Sequence, residues 1–358
     1  MHTIVLERIY NKRKKSSGLL FFMILILLSS CKTEEQNIVL TTVHYQGRTM
    51  GTTYSIKYEV AGEKIAKSDL DSILMALNDE VSTYIPSSII SILNESEQAE
   101  FKVTNDLYFK DNYNIVADLY KITDGYFDAS LAPLVNFWGF GYTDKDMENK
   151  DRAQVPKMMA YVGFEKWSAV NDAKDFVISK PIKGKLDFSA SAKGYGVDLL
   201  AEYFEGKGVS SYYVEIGGEL RVKGVKHDGR KWTVGVNKPE EESGLTEVSK
   251  IVELKDESMA TSGNYRNFYK KDGVTYSHII NPFTGFPERS TLLSATIVHA
   301  SCAYADGLAT ACMVMGKEKC MKLLSENEEF EGLLLFSEDN EMIQSWHTDG
   351  FDSKLVEL

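Results

Sequence analysis

The chain has 358 residues, 43% of them apolar and 26% charged, with seven Pro, proportions that exclude a disordered, collagen-like or rod-shaped coiled-coil protein. Its formal net charge is −12. Residues 1–30 carry Arg8, Lys12, Arg13, Lys14 and Lys15 against Glu7, a local +4, so the remainder stands near −16. A chain that acidic repels phosphate backbones, which argues against nucleic-acid binding as a primary role.

The N-terminus reads as an address. Lys12–Lys15 precede an unbroken apolar run, Leu19–Leu28, and then Ser29-Ser30-Cys31. That is the order of an export signal, and the run is too short for a hydrocarbon layer of about 30 Å. The placement of Cys31 resembles a bacterial lipobox, in which that cysteine is lipidated; an ordinary cleaved signal is the alternative. Residues 1–30 are therefore expected to be a signal peptide, 31–44 the lipidated Cys with a hydrophilic tether, and 45–358 the folded domain. Cys302, Cys312 and Cys320 show no CxxC spacing and sit among small residues near one helix. No disulfide framework is expected, although one pair remains open.

Along the folded part, Thr52–Tyr58 alternates as a strand. Helical spacing runs over Ile65–Asn78, with Ser68-Asp69 as a cap, and over Leu107–Thr123, ended by Asp124-Gly125. Lys185–Ser189 reads as a short strand leading into a helix, Ala192–Phe204. Strands follow at Tyr212–Ile216, Glu219–Lys223, Lys231–Val236, Val248–Leu254 and Thr275–Ile280. Helices at Ala303–Met315 and Glu318–Ser325 precede strands at Gly332–Phe336 and Met342–Trp346. Antiparallel clusters with helices between them predict an α+β fold. Charge-dense Asp144–Asp151 is the expected surface excursion.

GxGxxG, GxxxxGK[ST], HExxH and GxSxG are absent from the sequence. Pro133–Gly141 mixes aromatics and glycines without a period, as a core loop or as a wall for a flat ring system. Asp187–Asp198 runs through small residues into a helix start. The free N–H groups there, with Lys193, favour phosphate oxygens, or else Ser189 or Ser191 is a simple N-cap. Asp306 and Thr310 share a helix face and offer hard oxygens to Mg²⁺; alternatively they are a helix-start charge and a back-bonded hydroxyl. His278, where a strand meets a Pro/Gly turn, is either structural or an active-site side chain.

Taken in order, MGTTY, STY, DGYFDASLAPLVNFWGFG, LDFSASAKGYGVD, YYVEIGGELRVKG, MATSGNYRNFY, HIINPFTGFP and ADGLATA resemble the ApbE family of FAD:protein FMN transferases over about Thr49–Met315. The resemblance implies a T-fold-like α+β architecture, antiparallel sheets with packed helices, and FAD in a cleft between two subdomains. It implies Mg²⁺-dependent transfer of FMN from FAD to a threonine hydroxyl of an acceptor flavoprotein subunit, with AMP released. Flavin contacts carried over are Met50, Tyr84, Tyr126, Phe127, Asp128, Asp187, Lys193 and Ile280. The metal would be held by the Ala190 carbonyl with Asp306 and Thr310; Ala309 stands where some relatives have a second acid, and Asn281 where the pattern has Asp. His278 is the candidate base for the acceptor hydroxyl. An exported, membrane-anchored, periplasm-facing lipoprotein is expected. An FAD pyrophosphatase and a non-catalytic FAD carrier are the alternatives.

Overall fold

The computed structural model describes residues 40–356, apart from 105, 142–149, 173–174, 238–247, 264–267, 272–273, 278, 288–289 and 339–341. The signal segment, Cys31, His278 and most of the charge-dense 144–151 stretch lie outside the described residues.

The central element is an eight-stranded antiparallel sheet whose strands lie in chain order. They are β1 Thr41–Thr49, β2 Thr52–Val60, β3 Tyr212–Ile216, β4 Glu219–Lys223, β5 Glu257–Gly263, β6 Leu292–His299, β7 Glu331–Phe336 and β8 Gln344–His347. The main helices are α1 Lys67–Val81, α2 Phe109–Ile122, α3 Ala192–Gly206, α4 Cys302–Met315 and α5 Lys317–Glu326. Leu70, Leu74, Val197, Leu200 and Phe204 from α1 and α3 pack on Tyr54, Ile56, Tyr212 and Val214 of the sheet. Its opposite face carries a three-stranded sheet of Trp232–Asn237, Val248–Leu254 and Leu355–Val356, joined through Leu220, Val222, Trp232, Leu254, Leu333 and Leu335. Residues Leu40–Leu358 form one compact unit.

The helices and most strands fall where periodicity places them; three expectations change. β1 pairs Thr41 with Val60, so the ladder claims residues assigned to the tether through position 44. α1 starts at Lys67 after Ala66, which makes no side-chain cap, and Ser68-Asp69 lie inside the first turn. Lys185–Ser189 has no ladder partner. The Asn94 amide takes that role instead, donating to the Leu186 carbonyl (2.8 Å) and accepting from its N–H (2.7 Å). Cys312 and Cys320 form a disulfide between α4 and α5, and Cys302 stays a free buried thiol.

Candidate active site

The site is organised by the starts of α3 and α4. A Cβ added at Gly194 would stand 2.4 Å from the Cys302 carbonyl oxygen, so only glycine allows the two backbones to approach this closely. Each helix then satisfies the other's orphan N–H groups. Asp306 of α4 accepts from Gly194 N–H of α3 (3.1 Å). Asp198 of α3 accepts from Ser301 Oγ (2.6 Å), Cys302 N–H and Ala303 N–H (both 3.0 Å) at the start of α4, and from Arg221 (2.9 Å).

This exchange settles two alternatives left by the sequence. Ser191 occupies the N-cap position of α3 but makes no side-chain cap, so α3 does not begin as a simple serine-capped helix. Thr310 bonds Ser262 Oγ (3.2 Å) on β5, and Asp306 reaches another helix, so neither serves its own helix. Gly194 N–H is the third amide of α3 and has no partner within its own helix, which begins its ladder with Tyr195 N–H on the Ser191 carbonyl; Asp306 supplies the partner.

Lys193 Nζ lies 3.4 Å from Glu219 and 3.7 Å from Asp306. Burial works against the ammonium, but Asp306 and Glu219 outweigh it and hold its pKa above the ordinary lysine value. Burial pushes Asp306 up to about 7; Lys193 opposes the shift and Glu219 adds to it. The buried pocket thus has one cation facing two acids. Asp306 and Thr310 bring a carboxyl and a hydroxyl, oxygens of the kind that suits a hard cation such as Mg²⁺. Among the described residues no group of three or more His, Cys, Asp or Glu side chains converges into a metal cage. A metal held by Ala190, Asp306 and Thr310 would therefore draw further oxygens from substrate and water.

The second part of the site is aromatic and open. Tyr126 meets Phe283 edge-on (4.8 Å between centroids), and Lys319 Nζ sits 4.7 Å over its ring. Tyr84 is 68% exposed; partial burial and then the Asp187 charge raise its hydroxyl pKa. Asp187 N–H donates to the Ala129 carbonyl (2.8 Å), tying the 126–131 segment to the approach to α3, and burial raises its carboxyl. Met50, in the two-residue turn between β1 and β2, has its methyl 3.3 Å from where a Cβ on Gly196 would stand.

Other expected ring contacts lie deeper. The Phe127 ring belongs to the core, and Ile280 packs with Leu134, Trp138, Val155 and Val162. The Asp128 carboxylate accepts from Ser130 N–H (2.7 Å), Ser130 Oγ (2.6 Å) and Phe164 N–H (3.2 Å). Burial moves it to about 6 against those bonds. The side chains of all three are buried. The Pro133–Gly141 run, expected to lack a period, is helical through Phe137 as part of a short helix, Ala132–Phe137, and Trp138 beyond it is buried and donates to the Gly285 carbonyl (2.8 Å). Asn281 Oδ1 accepts from Phe283 N–H (2.8 Å) and Thr284 N–H (3.2 Å), a turn an amide forms without a carboxylate.

Glu219, Asp198 and Lys319 are the residues that the sequence reading did not assign. The first two stood inside quoted motifs, and Gly217-Gly218 before an acid was the available signal for Glu219. A groove of about 410 Å³ between α2, α3 and α4 includes none of the expected ligand contacts; its lining includes Asp111 and Glu202, a poor surface for an anionic dinucleotide.

An α+β chain that gathers a lysine, a helix start and oxygen donors at one point has the makings of a site for an anionic ligand. Sequence comparison narrows this class. The chain belongs to the ApbE family, whose model matches residues 50–334. It is 38% identical over 295 residues to the FAD:protein FMN transferase of Vibrio cholerae, covering 80% of this chain and 85% of that one. To the Escherichia coli K12 protein of the same description it is 30% identical, covering 87% and 88%. The solved flavin transferase ApbE from Vibrio cholerae superposes with a TM-score of 0.79 at 34% identity, over 88% of this chain and all of that one. The apo flavinyl transferase ApbE of Pseudomonas stutzeri gives 0.78 at 32%, over 88% and 97%.

Proposed function

We propose that this chain transfers FMN from FAD to a threonine hydroxyl of an acceptor protein, with Mg²⁺ required and AMP released. The observation that carries this reading is the meeting of Lys193 and Gly194 N–H on Asp306, in a chain whose relatives are named for flavin transfer. In the reaction the acceptor oxygen attacks the phosphorus on the FMN side of the pyrophosphate. A P–O bond forms to the acceptor, the P–O bond to AMP breaks, and the hydroxyl proton leaves to a base.

Phosphoryl transfer asks the protein for positioning and charge balance more than for covalent participation. Lys193 binds pyrophosphate oxygens as their charged donor, on a helix whose positive end faces the same way. Asp306, Thr310 and the Ala190 carbonyl would hold the cation, which would supply charge neutralisation at the phosphoryl oxygens. Tyr126, Phe283 and Tyr84 offer the ring faces and edges on which a flavin stacks. His278 is assigned the base because its ordinary pKa lies near working pH.

Location belongs to the same proposal. Cys31 is the lipid-bearing first residue of an exported protein, facing the periplasm from a membrane, with an electron-transfer subunit as acceptor. The disulfide supports an oxidising compartment. Among the described residues no helix is long and apolar enough to cross a membrane. Cys31→Ser should leave the protein unprocessed or released; a fully processed, membrane-retained variant would refute the anchor.

The deciding experiment incubates purified protein with FAD and Mg²⁺, with and without an acceptor bearing a flavinylation-type threonine motif. The expected result is AMP together with a fluorescent acceptor band. Rapid FMN and AMP without labelled acceptor would make the chain a pyrophosphatase, and stoichiometric FAD retention without AMP would make it a carrier.

A further inference from the structure

Glu219 begins β4, immediately after the two-residue turn Gly217-Gly218, whose φ values are +68° and +116°. That backbone is the tight hairpin geometry which glycine adopts without strain. Gly218 N–H donates to Glu215 Oε1 (2.8 Å), fixing the turn. The hairpin therefore delivers the Glu219 carboxylate to one place. It is 6% exposed, its Oε1 lies 3.4 Å from Lys193 Nζ, and its Oε2 is buried with no hydrogen-bond partner.

A buried carboxylate satisfied on one side only is costly, and needs a reason in what it holds. Two acids flank Lys193, and they are not equivalent. Asp306 already accepts from Gly194 N–H and is the charged member of the proposed cation site. When Asp306 serves a cation, Glu219 is the acid left to fix the ammonium. We propose that Glu219 is the positioning residue of this site, holding the Lys193 ammonium where it meets the phosphates of the dinucleotide. This rests on the flavin-transfer reading above.

The idea makes a prediction of sign. A carboxylate near a pyrophosphate repels it, so removing that charge should by itself strengthen dinucleotide binding. If Glu219 acts through Lys193, Glu219→Gln must instead weaken it, because the ammonium loses its anchor. The test measures FAD affinity by flavin fluorescence, with Mg²⁺ present and no acceptor protein, for wild type, Glu219→Gln, Lys193→Met and the double variant, with a thermal melt of each. Glu219→Gln is expected to weaken binding roughly tenfold, the scale of one charged hydrogen-bond partner. In the Lys193→Met background it should have no effect or tighten binding. Glu219→Asp, which keeps the charge on a shorter arm, replaces Gln if that variant fails to fold, with weakened binding expected only where Lys193 is present.

Binding by Glu219→Gln equal to or tighter than wild type overturns the inference, as does an equal loss with and without Lys193. Wild-type protein that leaves flavin fluorescence unchanged even with Mg²⁺ overturns the flavin reading and this inference together. Wild-type binding with an unaffected Glu219→Gln overturns this inference alone.

Discussion

The two ends of the site are built on opposite terms. At the phosphate end, Asp306 and Asp198 are buried, and each takes bonds from another element at 2.6–3.1 Å. At the ring end, Tyr84 and Phe283 are 68% and 56% exposed, and Tyr126 is met by an edge and a lysine rather than enclosed. The difference separates two tasks. Charge must be pre-arranged in a dry place because reorganising it during reaction is costly, whereas a flat apolar ring needs only a surface.

Four changes would break or sharpen this contrast. Asp198→Ala should have the largest effect. It removes the bonds at the start of α4 and one of the two carboxylates of Arg221, which keeps Glu205, at a cost of about 3–5 kcal/mol, read by denaturant unfolding. Asp306→Ala should lower Mg²⁺-dependent AMP release by about 10²–10³-fold, the loss expected for a charge-stabilising group in a reaction centre. Thr310→Val, which removes one neutral oxygen, should lose less. Normal metal dependence in Asp306→Ala would remove the cation site from this account.

The third concerns pH. Without metal, the folded Asp306 carboxyl titrates at about 7 against an ordinary 3.8. The unfolded chain releases this proton first. Stability contributed by the group therefore falls as pH rises from about 4 to 7, by up to about 1.4 kcal/mol per pH unit. Mg²⁺ takes the ionised form, so its affinity should rise over the same interval and added Mg²⁺ should flatten the slope, checked by melts in EDTA and in Mg²⁺. The smallest effect is at the open end. Tyr126→Leu should weaken FAD binding by about 1 kcal/mol, with the melting temperature nearly unchanged.

Much of the fold was legible because most elements carry one clean period. Three of the strands that were missed show other reasons. β6, LLSATIVH, is buried on both faces, so its apolar residues run together. β5, ESMATSG, buries Ser258, Met259 and Ala260 in succession. β1 is polar and mostly exposed, which made it look like tether. At the site, Asp187, Lys193, Asp306 and Thr310 stood in motifs whose chemistry is local. Asp198 and Glu219 depend on partners in other elements, Ser301–Ala303 and Lys193, which spacing along the chain does not reveal. Trp138 shows the converse: a run rich in rings suggested a ligand wall, while its indole N–H was committed to Gly285.

The crossed capping of α3 and α4 bears on how this protein opens. Gly194 N–H is satisfied only while α4 is docked, and the amides of Cys302 and Ala303 only while α3 is. Neither helix can fray at its start alone, so the two form one cooperative unit. In native-state hydrogen exchange these three amides, 108 to 109 positions apart in chain terms between the Gly194 and Cys302–Ala303 ends, should exchange together, at the rate of the slowest global opening rather than of a local one.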